Sequence, residues 1–99
     1  MELGKYIKNI QNICKALSVK RLGTFGSVNA DNFNENSDID MFVMFDNKSE
    51  GDLFTRYFEL KERLEDLFGR EVEIITEDSI HNPYFKKSME KTKKVIYEV

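Results

Sequence analysis

The chain has 99 residues, 40% of them hydrophobic, and its 15 basic and 18 acidic residues give a formal net charge of -3 at pH 7. This length predicts one domain over residues 1–99 with a single core and leaves no room for a second. The balanced charge does not indicate nucleic acid binding, and the lack of a long apolar run or an apolar leader predicts neither membrane insertion nor export.

The first predicted element is an amphipathic helix over residues 3–17. Its apolar side chains recur at three- and four-residue steps, the spacing that places them on one side of a helix. Cys14 is the only cysteine, so no disulfide can form within the chain. Its place in the apolar pattern predicts a core residue of a protein in a reducing compartment, the cytoplasm.

A strand is predicted over residues 19–25, and it ends at the glycine turn Gly26-Ser27. The asparagine-rich residues 29–36 that follow predict a loop or one short helical turn. Residues 38–45 then become continuously apolar after Asp40, which is typical of a central strand covered on both faces. Both faces of the predicted sheet therefore need helices.

A long helix is predicted from about residue 50 to residue 68, with Ser49 and Asp52 as a capping box and Gly69 as the C-cap. Three further elements complete the chain: a strand over 71–76, a lysine-rich helix from Pro83 to about Met89, and a strand over 94–98. Alternating strands and helices predict an α/β or α+β domain, in which a small mixed sheet is flanked by helices.

Two aspartates mark the start of the predicted central strand. Because strand side chains alternate between faces, Asp38 and Asp40 project to the same side, roughly 7 Å apart. Residues 22–47 contain five carboxylates and no lysine or arginine, so nothing nearby in sequence neutralises the pair. A divalent cation, Mg²⁺ by default, is one solution. The alternative is that Asp38 caps the strand and Asp40 lies at an exposed sheet end.

The Gly26-Ser27 turn could bind phosphate. Glycine lets the backbone approach a phosphate closely, and exposed amides with the Ser27 hydroxyl can donate to its oxygens. A Gly-Ser pair is also an ordinary turn. It becomes informative through its spacing to Asp38 and Asp40.

Gly26-Ser27, ten residues and then Asp38-Ile39-Asp40 resemble the signature of the DNA polymerase beta-like nucleotidyltransferase superfamily, in particular its small MNT-type minimal nucleotidyltransferases. The resemblance extends to the segments LGTFGS, SDIDMFVMF, GREVEIITEDSI and FKKSMEKTKKVIYE. It implies the polymerase beta-like fold, with Gly26 and Ser27 binding nucleotide and with Asp38 and Asp40 as catalytic metal ligands.

The resemblance also implies a third metal-binding and catalytic carboxylate, which falls on Glu73 in Val72-Glu73-Ile74, where the family usually has aspartate. Glu71 is the alternative ligand. A further alternative is that Glu73 is an exposed acidic residue of the strand with no role in metal binding. Many relatives carry arginine after the Gly-Ser pair, whereas this chain has Val-Asn-Ala-Asp at residues 28–31. Triphosphate binding would then depend on metal and amides, with help from residues such as Lys20, Arg21, Lys48 or Arg70.

The function implied by the resemblance is transfer of AMP from ATP, with two Mg²⁺ ions, to a tyrosine of a HEPN-domain toxin, so that this chain acts as the antitoxin. One alternative is a catalytically degenerate binding module that neutralises or scaffolds its partner by contact alone. Another is transfer to a small molecule, which a single domain makes less favourable.

Three other features are not part of the predicted catalytic site. His81 is a lone histidine with no assigned role, and the lysine-rich segment 86–94 is explained by a solvated face as well as by contact with RNA or an acidic partner. Phe54, Tyr57 and Phe58 cannot all face one sheet from the long helix. They predict a residual aromatic patch that would suit a protein partner.

Overall fold

The computed structural model describes residues 3–26, 38–46 and 52–99. The predicted loop at 29–36 and residue 50, the predicted helix start, lie outside them. The elements in chain order are a 3₁₀ turn Gly4–Tyr6, α1 (Ile7–Ala16), β1 (Val19–Phe25), β2 (Ile39–Phe45), α2 (Leu53–Phe68), β3 (Val72–Thr76), a 3₁₀ turn Glu77–Ser79, α3 (Pro83–Thr92) and β4 (Lys94–Glu98).

The four strands form one mixed sheet in the order β3-β2-β1-β4. Strand β1 is antiparallel to β2 and to β4, whereas β2 and β3 are parallel. The chain between the two parallel strands contains α2, as a crossover between parallel strands requires. The predicted fold class and the central position of β2 are therefore confirmed.

Helices cover both faces of the sheet. The main core lies between the sheet and helices α1 and α2, and its fully buried members are Ile10, Cys14, Leu22, Ile39, Met41, Val43, Leu60, Leu64 and Val72. On the opposite face α3 packs against β1, where the rings of Phe25 and Phe85 meet edge to face with centroids 6.0 Å apart. No helix in the described ranges is long and apolar enough to cross a membrane.

The helix ends differ from the prediction in three places. The first turn, predicted as α-helix, is a 3₁₀ turn before α1. The predicted capping box is wrong, because the side chain of Asp52 itself accepts from the amide of Phe54 and makes Asp52 the N-cap of α2. Helix α3 extends beyond Met89 to Thr92, since residues 90–92 include no helix breaker. The predicted C-cap is confirmed by Gly69, whose φ is 68°.

Edge strand β3 is held in place by α2. The amide of Val72 donates to Oε2 of Glu65 at 3.0 Å, and the carbonyl of Val72 accepts from Lys61. The hydroxyl of Tyr57 donates to the carbonyl of Ile74 at 2.5 Å. These bonds lie on either side of Glu73 in sequence, so α2 determines where the backbone of Glu73 stands beside β2.

Gly23 in the middle of β1 makes room for a ring from the neighbouring strand. A Cβ atom at this position would lie 2.2 Å from Cζ of Phe42 and 2.6 Å from the carbonyl oxygen of Lys94. Phe42 is fully buried on the face covered by α3. The absent side chain therefore lets this face of the sheet close around one phenyl ring.

We expect Gly23→Ala to lower the free energy of unfolding by about 2 kcal/mol, because the added methyl group overpacks a rigid site. Urea denaturation followed by circular dichroism measures the loss. Combining it with Phe42→Leu, which shortens the obstructing side chain, should cost less than the sum of the two single changes. Additive losses would show that the ring is not what excludes the methyl group.

Candidate active site

Two of the predicted acidic residues, Asp40 and Glu73, are neighbours on the parallel strands β2 and β3. Residues Phe25, Asp40 and Glu73 occupy one row across the sheet, because the Cα atom of Asp40 pairs with Phe25 on β1 and with Glu73 on β3. Asp38 directly precedes β2 and is exposed. The side chains of Asp40 and Glu73 project from the face opposite the main core, since their neighbours Ile39, Met41, Val72 and Ile74 belong to that core.

Negative charge accumulates around Asp40. Burial raises the pKa of its carboxyl group, and the nearby charges of Glu73 and Asp38 raise it further. Each cause disfavours the ionised form of Asp40 in the folded chain. A cation placed among these three groups would reverse the penalty, so the electrostatics favour a positively charged ligand.

Gly26 borders the same carboxylate. Its φ is +75°, a left-handed conformation, and a Cβ atom there would lie 3.0 Å from Oδ2 of Asp40. Its amide donates to Oγ1 of Thr92, at the end of α3, over 2.8 Å. The amide is therefore already bonded within the protein, unlike the exposed donor in the prediction. Ser27 and residues 28–31 lie outside the described ranges.

The donor chemistry of the site fits a hard divalent cation, because every acidic side chain in it offers only oxygen ligands. In residues 3–26, 38–46 and 52–99, however, no group of three or more His, Cys, Asp or Glu side chains is arranged to hold a metal ion. The backbone brings Asp40 and Glu73 together as neighbours. That all three carboxylates share metal stays a prediction.

Glu71, the alternative third ligand, has a different place. Residue 71 precedes β3, and its carbonyl accepts from the amide of Ile39 at 3.1 Å. The register pairs Asp40 with Glu73 and not with Glu71. Glu73 is therefore better placed to act together with Asp40.

Of the suggested cationic helpers, Arg21 is engaged elsewhere. Its guanidinium pairs with Glu77 at 3.1 Å and with Glu98 at 2.6 Å. Its Cα partner on β2 is Met44, four residues and so about 13 Å along the strand from Asp40. Lys48 lies outside the described residues. Arg21 thus lies toward the opposite end of the strands and does not reach the row that contains Asp40 and Glu73, called the acidic row below.

Lys93 is a residue that the sequence analysis did not single out. Because Thr24 pairs with Lys94, extending the β1–β4 register by one residue brings Lys93 opposite Phe25, in the row that contains Asp40. Its ammonium lies 5.1 Å from the ring centroid of Phe42 and 3.6 Å from a carboxylate oxygen of Glu90. The lysine run at 86–94 was the available signal, but only strand pairing distinguishes this lysine from its neighbours.

We expect Glu73→Gln to raise the free energy of unfolding by up to about 1 kcal/mol in EDTA at pH 7, because it removes a like charge beside Asp40 on the adjacent strand. Asp40→Asn should act in the same direction. Its gain is full above the raised pKa of Asp40 in the folded chain and vanishes as the pH falls below the ordinary aspartate range.

Thermal unfolding over a pH series measures both effects, and Glu71→Gln is the matched control, with a smaller gain expected because the register pairs Asp40 with Glu73. Mg²⁺ should stabilise the unaltered chain more than either variant. Equal gains from Glu71→Gln and Glu73→Gln would contradict the assignment of the repulsion to the paired strands.

Comparison with known proteins identifies the family. A family model for the nucleotidyltransferase domain matches residues 7–96. Two relatives from Methanocaldococcus jannaschii, provisionally named protein adenylyltransferases, are 41% and 37% identical to the chain over 90 residues. Each match covers 90% of this chain and 89% of the relative.

Solved structures agree with this result. A provisionally assigned minimal nucleotidyltransferase matches with a TM-score of 0.74 and 27% identity, over 93% of this chain and 90% of that one. A chain from a tri-AMPylated Shewanella oneidensis HEPN toxin complex with its MNT antitoxin has a TM-score of 0.66 and 15% identity, and the match covers 99% of this chain and 74% of that one. A toxin-antitoxin structure with AMP-PNP has a TM-score of 0.69 and 19% identity, and the match covers 94% of this chain and 73% of that one. The last two show a shared fold, and the sequence matches decide membership: the chain belongs to the nucleotidyltransferase domain family.

Proposed function

We propose that this nucleotidyltransferase transfers AMP from ATP to a tyrosine of a HEPN-domain protein and thereby acts as an antitoxin. The observation that carries the proposal is the pairing of Asp40 with Glu73 beside Gly26, on a sheet face outside the main core. The names of the sequence relatives support a protein acceptor. The fold neighbours include an MNT antitoxin complex with a HEPN toxin and a toxin-antitoxin structure with AMP-PNP.

In this proposal Asp38, Asp40 and Glu73 hold Mg²⁺, with two ions at the site. Bound Mg²⁺ would neutralise phosphate charge and polarise the α-phosphate. Asp38 and Asp40 position the nucleotide, and Gly26 leaves the space above Asp40 open, because a side chain there would approach its carboxylate. A cytoplasmic location, where ATP is abundant and Cys14 stays reduced, belongs to the same proposal.

The transfer itself is a single displacement at phosphorus. The phenolic oxygen of the acceptor forms a bond to the α-phosphorus of ATP. The bond from that phosphorus to the oxygen bridging the α- and β-phosphates breaks, and pyrophosphate leaves with the electron pair. The phenolic proton passes to the carboxylate of Glu73, exposed at the β3 side of the row, which acts as the general base and releases the proton to solvent.

Lys93 would assist by binding the β- and γ-phosphates. It lies at the β4 end of the row, and adjacent strands are about 4.8 Å apart, so its Cα atom is about 10 Å from that of Asp40. A lysine side chain spans much of this distance. Such a cation would replace the arginine that many relatives carry after the Gly-Ser pair.

The proposal is tested by incubating the chain with ATP, Mg²⁺ and the product of the neighbouring gene, which the proposal expects to be a HEPN-domain protein, and by measuring the intact mass of that partner. We expect added AMP on a tyrosine, and a loss of rate of at least about a hundredfold when Asp38→Asn and Asp40→Asn are combined. An unmodified partner across a series of divalent metals would refute the enzymatic function.

The second candidate function is neutralisation of the partner by contact alone. Two observations favour it: no three-ligand metal group is formed within the described ranges, and Phe54 and Phe58 on α2 are 68% and 49% exposed. If contact is sufficient, the combined Asp38→Asn and Asp40→Asn variant still binds and neutralises its partner. If transfer is required, neutralisation is lost while binding persists.

The role of Lys93 gives a separate prediction. We expect Lys93→Ala to raise the KM for ATP about tenfold, because a charge-assisted hydrogen bond to phosphate is lost, and Lys93→Arg to restore most of the affinity. Lys94→Ala is the matched control, since Lys94 is exposed and pairs with Thr24 one row away. Equal KM values for the two alanine variants would exclude Lys93 from the phosphate site.

A further inference from the structure

A cavity of about 360 Å³ lies beside the acidic row and has no assigned role. It is lined by Ile75, Ser79, Ile80, His81, Asn82 and Phe85. These residues come from β3, from the 3₁₀ turn and loop after it, and from the first turn of α3. We propose that this cavity receives the acceptor tyrosine of the protein substrate, an inference that rests on the proposed function.

The cavity adjoins the reacting end of the sheet. Ile75 follows Glu73 by two residues on the same strand, so both project to the same face about 7 Å apart. Phe85 forms the other wall, and its ring also contacts Phe25, the strand partner of Asp40. A group bound in the cavity therefore lies within one side-chain length of the acidic pair.

The position of the cavity matches the direction of attack. Gly26 and Lys93 lie on the β1 and β4 side of Asp40. The proposed role of Lys93 puts the leaving pyrophosphate on that side. The attacking and leaving oxygens are nearly in line at the phosphorus atom in such a displacement. The acceptor oxygen must then arrive from the opposite side, over β3, where Glu73 and the cavity are found.

The lining residues fit a phenol. Ile75, Ile80 and Phe85 supply apolar walls for a ring, and a ring gains from edge or face contact with Phe85. Two of the polar lining groups are already bonded: Ser79 Oγ donates to the carbonyl of Thr76, and Asn82 Oδ1 accepts from the amides of Tyr84 and Phe85. These two polar groups therefore form part of the cavity wall and do not require a hydrogen bond from a ligand.

The same lining disfavours an anionic acceptor. Among the described residues that line the cavity, none is lysine or arginine, and Glu73 stands next to it. The 3′ end of a nucleic acid or a phosphorylated sugar would find no lysine or arginine among these lining residues to bind its phosphates. A neutral aromatic side chain that carries a hydroxyl group meets both the apolar walls and the requirement for a nucleophilic oxygen.

The probe for this inference is N-acetyl-tyrosinamide, added to the full chain in complex with Mg²⁺ and an ATP analogue that has methylene between the α- and β-phosphates. The analogue prevents transfer, so binding is observed without chemistry. We expect the probe to shift the backbone amide signals of Ile75, Ile80 and Phe85 in NMR spectra. The affinity for the analogue, measured by calorimetry, should be unaffected by the probe.

Two substitutions at the cavity rim test the assignment. Ile80→Trp fills the cavity and Ile80→Ser removes an apolar wall, and each should weaken probe binding about tenfold while leaving nucleotide affinity unchanged. Tyr84→Ala is the matched control, because Tyr84 is 84% exposed and does not line the cavity. The control should bind the probe as the unaltered chain does.

Two outcomes would overturn the inference. In one, the probe shifts none of the three signals although the analogue binds. In the other, the adenine base of the analogue shifts these three signals and Ile80→Trp lowers the affinity for the analogue. The cavity would then be a base-binding site. Failure of the proposed function is recognised separately, because the unaltered chain then neither binds the analogue with metal nor transfers AMP.

Discussion

The repulsion between Asp40 and Glu73 on adjacent parallel strands is the constraint on which the site depends. Parallel pairing puts the two carboxylates in one row, and Asp38 adds a third negative charge. Such an arrangement costs stability in the absence of a cation. The rest of the fold must therefore hold β2 and β3 together against it, through the core beneath them and through the bonds from α2 to the β3 backbone.

The sheet face that carries this row, opposite the main core, is organised around it. Gly23 lets the ring of Phe42 fold across β1, and Gly26 keeps side-chain atoms away from the carboxylate of Asp40. Helix α3 covers the remainder, with Phe85 against Phe25 at its first turn and Thr92 bonded to Gly26 at its end. One helix thus contacts both the turn predicted to bind nucleotide and the cavity proposed for the acceptor.

Much of the fold follows from local pattern. Apolar spacing predicted α1 and α2, the run after Asp40 predicted a central strand, and Gly69 predicted the end of α2. Errors occurred at helix boundaries: the first turn before α1 is a 3₁₀ turn, and α3 ends at Thr92 and not at Met89. At the start of α2 a single side-chain hydrogen bond decides the boundary. Asp52 supplies that bond for α2. Serine and aspartate are both suitable caps, so the sequence could not separate Ser49 from Asp52.

The sequence by itself determined the spacing of Gly26, Asp38 and Asp40 and the acidic residue types, because these depend only on strand periodicity and side-chain chemistry. Tertiary structure alone decided that Glu73 and not Glu71 stands beside Asp40, that the Gly26 amide is bonded to Thr92, and that Lys93 shares the row. The first and third of these facts depend on strand register, and the second depends on where the end of α3 lies beside β1. All three are set by contacts between segments distant in sequence.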